Sequence, residues 1–251
     1  MNFDLLYLKY VDDTLAASIC DDPLDNSLQS AADSLISWCD SNGMVVNWSK
    51  TKEMLVYFGK MFSDSFVPRI AVNGSHIERV STFKLLGVMF SNDLSWACHV
   101  SFMLQKVSKR FFIIYQLSRV GLSSKDIVAV YCSVVRSVLE YACVVWHPGL
   151  TSSESADIER VQKRVLRVIF PSLDYQQALI AAGLERLDVR RENMTRDMFK
   201  EIKNPSHILH SLLPVRVPGR STRTTYPYEL PRHRTDRFLK SFFSYCISKQ
   251  F

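Results

Sequence analysis

The apolar period of this chain changes once, near residue 97, and that change decides what it can fold into. Before it, β-prone runs are short and separated by turn residues: Leu5–Lys9, Thr14–Ile19, Met44–Asn47, Glu53–Phe58, Arg69–Val72, Ser75–Val80 and Phe83–Phe90. After it, apolar residues recur at three- and four-residue intervals, as a helix with one buried face requires. Val100, Met103, Val107, Phe111, Ile114 and Leu117 form one stripe, Ile127, Val130, Val134 and Val138 a second, and Ile158, Val161, Val165 and Val168 a third. A single helix interrupts the β-rich part. Asp22 is placed to cap it and Pro23 to open it; Leu24, Leu28, Ala31, Leu35, Trp38 and Cys39 keep its spacing, and Gly43 ends it. Elements segregated in this way predict an α+β fold, not a doubly wound one.

Punctuation residues divide the chain further. Asn73-Gly74 predicts a hairpin turn. Gly87, inside an apolar run, predicts a bulge or a close backbone approach. Gly121 closes the first long helix, Ser123 and Ser124 open the next, Pro148-Gly149 breaks the chain, and Pro171 ends the third helix. Shorter helices are expected over Tyr175–Ala182, Asp188–Ile202 and Arg237–Ser248. Residues 214–235, rich in Pro, Arg and Thr, read as an extended basic linker. The expected organisation is therefore residues 1–75, 76–96, 97–213 and 214–251.

Charge follows the same division. Residues 1–75 carry 5 Lys/Arg against 10 Asp/Glu, and the remainder carries 26 against 15. An acidic head on a basic body suits a metal site joined to a phosphate-binding surface, and equally suits uneven solvation charge. The six cysteines have no Cys-x-x-Cys or zinc-finger spacing and read as free thiols. His207 and His210 have no third ligand nearby. Without a signal peptide or an apolar run of membrane length, the protein is expected inside the cell, in nucleus or cytoplasm, not secreted and not in a membrane.

The chemistry-bearing feature is Asp12-Asp13, adjacent carboxylates at the tip of the first expected hairpin, after Tyr10-Val11. Hard cations such as Mg²⁺ take oxygen ligands, and phosphoryl-transfer enzymes place them between attacking and leaving oxygens. A pair of aspartates is also ordinary turn chemistry, and Asp21-Asp22 reads as nothing more than a helix cap.

Context sharpens the first pair. Tyr10-Val11-Asp12-Asp13 resembles the Tyr/Phe-x-Asp-Asp motif of reverse transcriptases. The following helix stands where that family has one, and Asn47-Trp48-Ser49-Lys50-Thr51-Lys52 resembles its next element. Phe83-Lys84-Leu85-Leu86-Gly87-Val88 is similar to the primer-grip motif. The helical remainder, including Tyr141–Trp146 and Arg160–Arg164, resembles the thumb and C-terminal region of non-LTR, jockey-like retrotransposon enzymes. The resemblance implies a partial polymerase palm followed by a helical thumb. It implies Mg²⁺ held by Asp12 and Asp13, Tyr10 beside the primer end, and Lys50 near an incoming dNTP. Leu86 and Gly87 would form the primer-grip turn, and RNA template and DNA primer would be the partners.

Arg160, Lys163, Arg164 and Arg167 share one helical face, which reads as a phosphate-contacting stripe or a solvated surface. The linker arginines Arg216, Arg220, Arg223, Arg232, Arg234 and Arg237 are candidates for non-specific RNA contact.

The resemblance departs at its start. Met1 lies nine residues before Tyr10, so the family's fingers and its other catalytic aspartate are expected to lie outside this chain. Asp4 cannot replace that aspartate, because eight strand residues span roughly 26 Å. The chain alone is therefore expected not to polymerise. A non-catalytic nucleic-acid-binding protein, an inert fragment, and a viral or intron-type polymerase are the alternatives.

Overall fold

The computed structural model describes residues 6–19, 27–56, 67–72, 74–214, 227–232 and 235–251. Among the described residues the strands all precede residue 92 and helices dominate from residue 97, so the fold is α+β. The chain divides into two compact units, Met1–Leu85 with Phe90–Leu94, and Leu86–Met89 with Ser95–Phe251.

In the first unit, β1 (Leu6–Tyr10) pairs antiparallel with β2 (Asp13–Ala17), Tyr10 opposite Asp13. Alternation puts Leu6, Leu8, Tyr10, Asp13 and Leu15 on one face, and Tyr7, Lys9, Thr14 and Ala16 on the other. Helix α1 (Ser27–Ser41) lies on the second side, where the Lys9 ammonium stands 4.9 Å from the centre of the Trp38 ring. Its expected start at Asp22-Pro23 lies outside the described residues. Its end is where the sequence places it: Gly43 adopts φ +65°, and the Met44 N–H donates to the Cys39 carbonyl.

The strands that follow are two residues long. β4 (Ala71–Val72) pairs with β5 (Ser75–His76) around Gly74, which has φ +78°. The Gln29 amide completes β4 from outside, accepting from the Ala71 N–H at 2.9 Å and donating to its carbonyl at 2.8 Å. β3 (Lys52–Glu53) runs parallel to β6 (Glu78–Arg79). A buried ion pair fixes them: Arg79 donates to Glu53 through Nε at 3.0 Å, and Glu53 also accepts from the Ile70 N–H.

Three expected strands are corrected. Met44–Asn47 is not a strand; Val45 is 96% exposed and the segment pairs with no strand among the described residues. Ser75–Val80 is split into β5 and β6. Phe83–Phe90 is split into β7 (Thr82–Leu85) and β8 (Val88–Ser91), because Leu86 and Gly87, at φ +45° and +86°, reverse the chain where a bulge was one expectation.

The second unit begins with α2 (Ala97–Arg119), whose buried face is Val100, Met103, Val107 and Ile114. Next, α3 (Ser124–Val130) continues through a π-helical segment, Tyr131–Arg136, into α4 (Ser137–Leu139). The widened turn coincides with a carbonyl drawn out of the ladder: Arg110 of α2 donates to the Val134 oxygen at 2.5 Å. The chain then breaks at Ala142, φ +50°, earlier than the expected Pro148-Gly149. Short α5 (Cys143–Trp146) and a 3-10 turn (His147–Gly149) follow.

Helices α6 (Ser152–Ile169) and α7 (Tyr175–Ala182) each start with a reciprocal capping box, Thr151 with Glu154 and Asp174 with Gln177. α8 (Leu187–Ile202) packs on α5, α6 and α10. The expected last helix is two, α9 (Asp236–Leu239) and α10 (Phe242–Lys249). Phe199 and Ile202 of α8 meet Cys246 and Ile247 of α10 in a buried cluster.

Most of the linker, including Arg216, Arg220, Arg223 and Arg234, lies outside the described residues. Cys39, Cys98, Cys132, Cys143 and Cys246 are free thiols, and burial pushes Cys143 up to about 11. Among the described residues no single helix is long and apolar enough to cross a membrane.

Candidate functional site

The carboxylate hairpin closes through a two-residue turn, Val11-Asp12, between the paired Tyr10 and Asp13. Such a turn needs a positive φ at its first position, and Val11 supplies it at +54°. A β-branched side chain there is strained, by about 1–3 kcal/mol. Asp12, Asp13 and Tyr10 are all exposed, and Asp13 shares its open face with Tyr10 and Leu8. No hydrogen bond or ion pair occupies either carboxylate among the described residues. Their oxygens suit a hard cation. Among the described residues no group of three Asp, Glu, His or Cys side chains assembles to hold a metal ion. The pair stands on an exposed hairpin tip.

Lys50 lies in the same unit, on a turn organised by Asn47. The Asn47 carbonyl accepts from the N–H groups of Lys50 and Thr51 and from the Thr51 hydroxyl, while its side chain accepts from Ser49 Oγ at 2.7 Å. Asn47 therefore holds the loop, and Lys50 is left exposed.

Leu86 and Gly87 belong to the second unit, and two side chains pin their turn to its helices. The Tyr141 hydroxyl donates to the Leu86 carbonyl at 2.9 Å. A Cβ on Gly87 would stand 3.0 Å from the Tyr141 ring, so the close backbone approach expected of Gly87 is to this tyrosine. Downstream, the Met89 N–H donates to His99 Nδ1 at 3.3 Å. His99 is buried between Trp96 and Trp146, and burial holds its pKa below the ordinary histidine value.

Arg160, Lys163, Arg164 and Arg167 all lie on the exposed face of α6. Three have neighbours: Arg160 pairs with Asp157 at 2.6 Å, Lys163 lies over the Tyr175 ring, and Arg164 lies 4.2 Å from the centre of the Phe111 ring. Each remains solvent-accessible.

The buried side of α6 carries residues that sequence reasoning passed over. Tyr131 donates to Gln162 Oε1 at 2.7 Å, and Gln162 Nε2 donates to Tyr175 Oη and to the Glu185 carbonyl. Tyr175 in turn donates to Glu159, whose other oxygen accepts from the Leu187 N–H at 3.0 Å. Burial raises the Tyr131 and Tyr175 hydroxyls well above the ordinary tyrosine range, so both stay protonated donors.

A second polar group surrounds Arg191, which is fully buried. Its Nε donates to His147 Nδ1 and its Nη2 to Ser155 Oγ, while Nη1 has no hydrogen-bond partner among the described residues. His147 Nε2 faces Glu192, which also accepts from Tyr245. Burial, and then the Arg191 charge, depress the His147 pKa. These residues border a cleft of about 440 Å³ lined by His147, Ser155, Lys163 and Tyr245 among others. No spacing motif announces either group; each is assembled from separate helices.

No protein family, no curated protein and no solved structure matches this chain.

Proposed function

We propose that this chain is part of an RNA-directed DNA polymerase, a reverse transcriptase of the non-LTR retrotransposon kind. It would contribute the carboxylate hairpin of the palm and the helical thumb region. The observation that carries the reading is the pair Asp12 and Asp13, exposed and unengaged at a strained hairpin tip beside Tyr10. Asp12 and Asp13 would hold Mg²⁺, which when bound supplies the charge that stabilises the phosphoryl oxygens of an in-line displacement. Tyr10 would orient the primer end, and Lys50 would neutralise charge on the leaving pyrophosphate of the dNTP. The α6 stripe would contact template and primer phosphates. The purified chain is expected to bind metal at residues 10–13 and to bind nucleic acid.

The test is Mn²⁺ titration followed by NMR line broadening, run beside anisotropy with an RNA–DNA hybrid. Broadening centred on residues 10–13 and lost in Asp12→Asn/Asp13→Asn supports the reading. Broadening that ignores the double substitution overturns it.

A second reading, a nucleic-acid-binding protein without catalysis, is favoured by the α6 stripe, which is exposed independently of the hairpin. Hybrid binding that persists with no metal bound at residues 10–13 selects it.

A further inference from the structure

We propose that the solvent face of α2 binds an unpaired nucleic-acid strand, its bases stacking on Phe112 and Tyr115 and its phosphates meeting Lys109 and Arg119. This surface is distinct from the hairpin and from the α6 stripe, and it does not depend on the polymerase reading.

Residues 97–125 contain no Asp or Glu, while Lys106, Lys109, Arg110, Arg119 and Lys125 carry positive charge. A solvated helix of 23 residues ordinarily mixes both signs; one sign alone points to an anionic partner. The buried side of α2 is Val100, Met103, Val107 and Ile114, and Arg110 is engaged by the Val134 carbonyl. At 100° per residue, Lys109, Phe112 and Arg119 fall on the opposite side and Tyr115 on the flank next to them. All four are exposed, Phe112 to 64%.

Two rings stand between two cations along that stripe. Lys109 precedes Phe112 by one turn, and Arg119 follows Tyr115 by one turn, its guanidinium 5.8 Å from the Tyr115 ring centre. Phe112 and Tyr115 are three residues apart, a rise of about 4.5 Å, about 1 Å more than the step between stacked bases. The span from Lys109 to Arg119 is roughly 15 Å, room for about four nucleotides. Exposed aromatic faces favour a single strand, because bases in a duplex are already stacked. Ile113 and Val120, also exposed, extend the apolar surface beside the rings.

The test uses fluorescein-labelled oligo-dT and oligo-U of about twelve nucleotides, with a duplex of the same length, followed by anisotropy across a KCl series. Single strands should bind more tightly than the duplex, and the oligo-dT and oligo-U arms separate DNA from RNA. Phe112→Ala and Tyr115→Ala should each weaken binding on the order of tenfold, and Phe112→Trp should restore it. Lys109→Gln/Arg119→Gln should flatten the log–log salt slope by about 1.4, as expected when two phosphate contacts to a single strand are lost. Lys200→Gln on α8, an exposed cation outside both surfaces, should leave single-strand affinity unchanged. These side chains are exposed, and unaltered thermal melting of each variant confirms folding. Preference for the duplex, or single-strand binding indifferent to Phe112→Ala and Tyr115→Ala, overturns the proposal. Because the readout uses neither metal nor primer extension, its failure is separate from failure of the polymerase reading.

Discussion

Replacing Gln162 with leucine tests whether a buried polar network, and not apolar packing alone, sets the position of α6. Leucine nearly fills the volume of glutamine, so the cavity contribution is small. What is lost is hydrogen bonding. The Tyr131 hydroxyl, completely buried, loses its acceptor at 2.7 Å, and the Glu185 carbonyl loses the donor at 2.9 Å. The stranded Tyr131 hydroxyl costs about 1–3 kcal/mol, while the Glu185 carbonyl, on an exposed residue, can turn to water, so Gln162→Leu should destabilise by about 1–3 kcal/mol. For a unit of this size that corresponds to a fall in Tm of roughly 2–12 °C. Tyr131→Phe leaves only the Gln162 oxygen short and should cost about 1–2 kcal/mol. The double variant should cost less than the sum by about 1 kcal/mol or more, since each substitution removes the other's stranded partner. Urea unfolding of the four proteins measures all three quantities. Strict additivity, or a Gln162→Leu cost under about 1 kcal/mol, would refute the reasoning.

Gly149→Ala should destabilise by about 1–3 kcal/mol through overpacking, because its Cβ would stand 2.4 Å from Trp96 Nε1; Trp96→Leu should relieve most of that cost, as read by denaturant midpoints. His147 and His99 both have pKa values depressed by burial, His147 also by Arg191. The unfolded chain therefore binds more protons below about pH 6.5, and stability should fall as pH drops from there through the depressed values and then level off. His147→Gln should shallow that slope in melts between about pH 5 and 7.5, and an unchanged slope would count against the assignment. Val11→Gly should remove turn strain at the carboxylate hairpin at some entropic cost, a net gain of about 1 kcal/mol or less; slower amide exchange across Leu6–Ala17 is the measurement.

The boundaries legible in the sequence are those set by local chemistry. The stops at Gly43 and Gly121 act within one turn of the chain, so the ends of α1 and α2 fall where the residues place them, and α7 covers the expected Tyr175–Ala182. Short strands were legible only as tendencies. Met44–Asn47 has the composition of a strand but pairs with none among the described residues, and Phe83–Phe90 reverses at Leu86–Gly87 because Tyr141, more than fifty residues away, receives the turn. The break at Ala142 was missed because its left-handed backbone has no glycine to signal it. At the site, exposure of Asp12 and Asp13 follows from their place in a turn. The Gln162 and Arg191 networks were invisible, because a lone polar residue on an apolar face reads the same whether its partner lies on a distant helix or in solvent.

The Tyr141 contact ties a loop to a corner. Its phenol reaches Leu86 from the bend that ends at Ala142, so the β-turn and the start of α5 form one mechanical assembly though half a hundred residues separate them. Anything that pulls on the turn must either snap that hydroxyl contact or drag the helical corner along, so a tug at Leu86 would register beside Trp146.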